Sequence, residues 1–258
     1  MSTVEAPLGG LLRDWRQRRR LSQLDLALEA GVSARHLSFL ETGRSKPSRD
    51  MVLHLSEQLE VPLRDRNQLL LAAGFAPAYG EQPLDAPDMA PVREALDRIL
   101  KGHEPYPAVV VDRHWDLAAA NASVQLFTRL AAPHLLEPPP NALRIALHPE
   151  GMAPHIRNLP EWRAHLLDRL RRQIGVTGDE RLAALYREVA AYPGGEARLA
   201  AHEPGIAVPL RVAVEDSELA FFSTIATFGT AVDITLAELS IEAFFPADRP
   251  TADYLLRR

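Results

Sequence analysis

Cysteine is absent from the 258 residues. A disulfide framework, a thiolate nucleophile and a Cys-ligated zinc or iron–sulfur centre are therefore excluded. Long apolar runs are missing as well. The longest, such as Leu69–Ala73, Ala108–Val111 and Leu117–Ala120, fall far short of the ~20 residues that span a bilayer. Met1–Gly10 has no basic stretch followed by an apolar core, so a secretory signal is not expected. Neither a Gly-x-Ser-x-Gly elbow nor a phosphate-binding loop nor a dinucleotide fingerprint occurs. His148, His155 and His165 do not stand at the i, i+4 spacing of a helical metal pair. The expectation is a cytoplasmic protein that is not an enzyme, has no membrane partner, and carries no metal, cofactor or catalytic set.

The balance that is present is ordinary for a globular chain, with 47% hydrophobic and 24% charged residues. The net charge of −5 is unevenly spread. Residues 1–75 hold 11 Lys and Arg against 9 Asp and Glu, and the remainder 18 against 25. A mildly basic N-terminal part on an acidic body is compatible with local nucleic-acid contact.

The first 75 residues read as five short helices. Leu11, Leu12, Trp15 and Leu21 open the apolar pattern. Ser22-Gln23-Leu24-Asp25 is a helix-start signal, followed by a stripe of Leu24, Ala27 and Leu28. Gly31 suits a left-handed helix end, and Ser33 is the next N-cap, before Leu37 and Leu40. Gly43 stops that helix; Ser48 or Asp50 caps a fourth with Val52, Leu55 and Leu59, and Leu69, Leu70 and Ala73 lie on a fifth. Residues 76–91 carry Pro77, Pro83, Pro87 and Pro91 with Gly80, a linker by composition.

After a helix at 92–101 the pattern changes. Runs at 108–111 and 115–120 read as a hairpin about Asp112-Arg113-His114. Helical periodicity spans 162–174 and 180–192, and strands are predicted at 208–214, 219–228 and 232–245. Two strands, helices, then three strands is an α+β order. In the last strand Glu238 and Glu242 share one face, so Thr235, Ala237, Leu239 and Ile241 share the other.

One short capped helix, a glycine turn and a second capped helix make the helix-turn-helix layout, whose second helix can enter the major groove. Ser22-Gln23, Ala27, Gly31, Val32-Ser33 and Glu41-x-Gly43 resemble the Xre/Cro-type, lambda-repressor-like domain. Ser22, Gln23 and Ser33 sit at helix N-termini, where donors can hold a phosphate. Ala34, Arg35 and Ser38 are outward positions of the second helix, with His36 and Phe39 flanking. Arg35 is the principal base-reading candidate, because a guanidinium binds guanine O6 and N7 together. Arg44, Lys46 and Arg49 would reach the DNA backbone. The resemblance implies that Arg16 pairs with Glu41 and braces the first helix against the third.

Residues 92–258 resemble the C-terminal domain of MmyB-like Xre-family regulators, a PAS-like ligand-binding domain. The resemblance is carried by Pro107–Asp116 with Asn121, by His148-Pro149-Glu150-Gly151, by Phe221–Thr230, and by Phe244-Phe245-Pro246-Ala247-Asp248. It implies a five-stranded antiparallel sheet with helices on one face and an apolar pocket for a fatty-acid-like or other small hydrophobic molecule. Trp115, Phe127, Phe221, Phe222, Ile225, Phe228, Leu239 and Ile241 are the pocket candidates. The combined expectation is a two-domain transcription regulator, bound to double-stranded DNA as a homodimer and responsive to a small apolar ligand. The alternatives are a C-terminal domain used only for dimerisation, and a catalytic one.

Overall fold

Residues 7–195 and 207–257 are described by a computed structural model. Backbone contacts divide the described residues into two units, 7–82 with 175–177 and 230–237, and 83–174, 178–195, 207–229 and 238–257.

The first unit opens with five helices, α1 (Leu8–Arg18), α2 (Gln23–Glu29), α3 (Ala34–Glu41), α4 (Arg49–Gln58) and α5 (Leu63–Ala72). Local chemistry starts three of them. Ser22 and Asp25 form a reciprocal capping box on α2, while Ser33 and Ser48 each accept from a backbone N–H three residues on. Gly31 and Gly43 take positive φ at the ends of α2 and α3. The core gathers Leu12, Trp15, Leu26, Leu37, Leu40, Val52, Leu55, Leu59, Leu69 and Leu70. On α2 the expected stripe is corrected. Leu26, Ala27 and Ala30 are buried, whereas Leu24 and Leu28 are exposed. Leu24 and Leu28 also stand i, i+4 apart, so spacing alone did not decide which face turns inward. Gly9 lets α1 close on the end of α3, since a Cβ there would lie 2.4 Å from the Glu41 carbonyl oxygen.

The start of the proline-rich segment is tied down rather than loose. Asn67 accepts from the backbone N–H groups of Ala78 and Tyr79 and donates to the Tyr79 carbonyl, and Arg64 pairs with Glu81.

The second unit opens with α6 (Ala90–Gly102) and the strands β1 (Ala108–Val111) and β2 (Leu117–Ala120). Next come α7 (Gln125–Thr128), α8 (Ala142–Leu147), α9 (Leu159–Thr177) and α10 (Glu180–Ala191). The strands β3 (Leu210–Val214) and β4 (Ser217–Thr227) are followed by β5 (Ser240–Pro246) and α12 (Arg249–Leu256), while α11 (Ile234–Ala237), between β4 and β5 in the chain, belongs to the first unit. The sheet is five-stranded and antiparallel in the order β2-β1-β5-β4-β3. Side chains of β3, β4 and β5 such as Leu210, Val212, Phe221 and Phe244 share one core with Phe127, Leu143, Trp162, Leu166, Leu170 and Leu185 from α7–α10.

Two strand expectations are corrected. Residues 232–239 do not extend β5: the Asp233 carboxylate accepts from Leu236 N–H and starts the short α11. Thr235 and Ala237 are thus helical. The second correction concerns Trp115, which belongs to the hairpin turn, with φ 69°. The Asp112 carboxylate accepts from the N–H groups of His114 and Asp116 and bends the chain there, so β2 begins at Leu117.

Candidate DNA-reading face and ligand cavity

In the first unit, α1, α2 and α3 meet at one buried carboxylate. The Glu41 side chain is inaccessible to solvent. It accepts from Arg16 Nε at 2.6 Å, Arg16 Nη2 at 2.9 Å and Gln23 Nε2 at 2.8 Å, with Arg13 Nε 3.5 Å away. Burial pushes this carboxyl up. The hydrogen bonds from Arg16 and Gln23 and the charges of Arg16 and Arg13 outweigh that effect and hold it below the usual carboxylate range. Gln23, read from the sequence as a phosphate contact, is engaged in this brace.

The brace presents α3. Its buried side carries Leu37, Leu40 and Glu41. Ser33, Arg35, Arg44, Lys46 and Arg49 are exposed, and Ala34, His36, Ser38 and Phe39 half-buried. Ser22 is exposed at the start of α2. The Ser22 and Ser33 hydroxyl oxygens accept from Asp25 N–H and His36 N–H, both at 3.1 Å, so each cap is already occupied within its helix. Among the described residues, none of Arg35, Arg44, Lys46 and Arg49 has an ion-pair partner. Their charges are free to meet phosphate or base edges.

In the second unit a cavity lies under the inner face of the sheet. Its wall includes Val109, Trp115, Phe127, Leu143, Met152, Trp162, Leu210 and Phe244, with Glu242 as its one charged member. Trp115 and Phe127 therefore reach the cavity. Phe221 is fully buried beside it, its ring 5.5 Å from Phe127. Phe222 and Ile225 are 40% and 50% exposed. Phe228 and Leu239 lie outside the cavity wall, beyond β4 and before β5, and Ile241 is a cross-strand neighbour of Val110 and Ala226.

Glu242 occupies the inner face expected for the pocket candidates Leu239 and Ile241. It points inward, cross-strand from Val109, and Ile241 points to the other face. Arg169 of α9 makes this tolerable, with Nη1 donating to both Glu242 oxygens at 3.3 Å while the guanidinium lies 4.2 Å from the Trp115 ring centroid. One turn earlier on α9, His165 stacks on Trp162. Burial pushes its imidazole pKa down, and the Arg169 charge adds to that. Nothing in the spacing pointed to Arg169 or His165, because both sit on a helix face that reads as solvated.

Two further groups adjoin the wall residues Trp115 and Ile145. The Trp115 indole donates to Gln173 Oε1, and Gln173 Nε2 donates to the Arg113 carbonyl. Arg113 pairs with Asp179 and Glu238, and His114 Nε2 lies 3.1 Å from Asp179. Burial pushes the Asp179 carboxyl up, but the Arg113 hydrogen bond, the Leu182 N–H and the Arg113 charge overcome it and bring it down to about 2. Glycine in His148-Pro149-Glu150-Gly151 serves a close approach, since a Cβ on Gly151 would meet the Ile145 carbonyl oxygen at 2.3 Å. The same segment brings His134, His148 and Glu150 together, with donor atoms within 4.8 Å of one another. The His148 Nδ1 accepts from Glu150 N–H at 3.0 Å, and His134 Nε2 lies 3.7 Å from Glu150 Oε2.

Among the described residues no helix is long and apolar enough to cross a membrane. No curated protein matches the chain significantly. Residues 12–65 match the helix-turn-helix family, which spans the Glu41 brace and the exposed face of α3. Residues 92–257 match the MmyB-like transcription regulator ligand binding domain, which spans the whole sheet and the cavity beneath it. A DNA-reading unit joined to a ligand-sensing one is a transcription regulator, and this chain belongs to the MmyB-like family.

Proposed function

We propose that this cytoplasmic regulator binds a specific operator as a homodimer, and that a small apolar molecule with a fatty-acid-like body occupies the cavity under the sheet and sets operator affinity. One short reading helix buries too little surface for tight specific binding, which favours two copies on a two-fold site. The protein acts by binding and not by catalysis. The observation that carries the ligand reading is the cavity itself, apolar except for Glu242 and the Thr128 hydroxyl. It is lined as small-molecule sites are lined, by aromatic and aliphatic groups with few polar ones. A ligand shifts DNA affinity only if it binds one arrangement of the regulator better than the other.

The free volume of the cavity is about 70 Å³, against ~300–1,000 Å³ in typical ligand sites. An acyl chain therefore enters only as the wall side chains turn aside. That small volume favours a second reading, in which the domain serves dimerisation alone. Extraction of the purified protein with mass spectrometry, thermal midpoints across a fatty-acid and hydrophobic-metabolite panel, and operator binding with and without each compound separate the two. A bound lipid or a midpoint rise with changed operator affinity is expected. No extracted molecule and no response to any compound would leave the dimerisation reading standing.

A further inference from the structure

Phe39 has no place in the apolar core of its own unit. At about 100° per residue it lies on the side of α3 opposite Leu37, Leu40 and Glu41, together with Arg35 and Thr42. Its ring is not among the side chains that pack on the core cluster. Two cations cover it instead. The Arg35 guanidinium, one turn earlier, lies 5.3 Å from the ring centroid, and that of Arg44, beyond the end of the helix, lies 6.0 Å away. The ring is half-buried and keeps part of its surface open. It is suited to an apolar contact that forms only when a partner arrives.

The major groove supplies such a contact, because the thymine C5-methyl group is its one apolar base-edge feature, and phenylalanine is among the side chains that read it. Arg35 beside the ring has the geometry for guanine O6 and N7. Stacking on Phe39 limits how far the guanidinium can swing, so the two side chains would meet adjoining base pairs. We propose that Phe39 is a specificity-determining residue that reads a thymine methyl group next to the guanine read by Arg35. The proposal rests on the operator-binding reading above.

The test begins with selection of binding sites from random duplexes by the full-length protein. Each thymine of the selected site is then replaced by deoxyuridine, which removes the methyl group and leaves base pairing unchanged. One thymine per half-site, adjoining a guanine, should show about fourfold weaker binding on replacement. That is the ~0.8 kcal/mol of one buried carbon converted at 1.4 kcal/mol per tenfold. Phe39→Ala should bind the thymine and uracil sites equally and keep the wild-type thermal midpoint, while Arg35→Ala should lose the neighbouring guanine preference. A uracil penalty that persists in Phe39→Ala overturns the proposal, as does a wild-type protein indifferent to every thymine methyl. A lowered midpoint with unchanged base preference would make the ring a stability element and overturn it too. Failure to enrich any sequence would strike the operator-binding reading itself, and is distinguishable because no site then exists to substitute.

Discussion

The side chain of Glu41 shows how one residue can hold a reading surface. Three donors from α1 and α2 converge on its two oxygens, and no water reaches it. Removing one member of a buried ion pair leaves the other charge uncompensated, at a cost of roughly 3–5 kcal/mol. Glu41→Ala should therefore lower unfolding stability by about that amount in a urea titration, with Arg16 left behind. A change under about 1 kcal/mol would show that Arg16 finds water instead. The Ser-x-x-Asp capping box that starts α2 was readable as a short local motif, because its partners stand three residues apart. Glu242 was not readable. Alternation along a strand says which residues share a face, and leaves open which face is inward. Arg169, 73 positions away in the chain, makes the inward choice tolerable.

At the scale of elements, the joint between the β1–β2 turn and α10 is electrostatic. Asp179 caps α10 through Arg181 and Leu182 N–H and also pairs with Arg113 and His114 in the turn. Its folded pKa of about 2 lies below the ~3.9 of an unfolded aspartate. The stabilisation is thus full above about pH 4 and is lost as pH falls toward 2. Unfolding free energies measured from pH 5 to pH 2 should fall more steeply in the wild type than in Asp179→Asn, which keeps a capping oxygen. Parallel curves would remove Asp179 from the joint. The helices α1–α5 were legible because their caps and glycine stops are local. The strand predicted at 232–245 was only partly so. Asp233, a single capping side chain, turns its first residues into α11, and propensity over a long window does not register one cap.

On the scale of the molecule, charge is the property that spans both tasks. The mildly basic first 75 residues sit in a chain of net charge −5, so on the proposed reading DNA contact falls to a few exposed cations and not to a general field. Lys46, exposed beyond α3 and without an ion-pair partner among the described residues, is one of them. Lys46→Ala should weaken binding to every sequence alike. It should also reduce the slope of log affinity against log salt by about one unit. Binding isotherms at several salt concentrations check this, and an unchanged slope takes Lys46 off the backbone.

Sequence by itself determined the class of the protein: a capped helix, a glycine turn and a second capped helix, then an α+β body with five strands. Those features are local in the chain, so residue type and spacing encode them. The tertiary structure alone decided which face of β5 looks inward, which aromatic side chains reach the cavity, and that Gln23 braces Glu41. Each of these depends on partners far apart in the chain. A periodic pattern records the alternation of faces but not the neighbour that each face will meet.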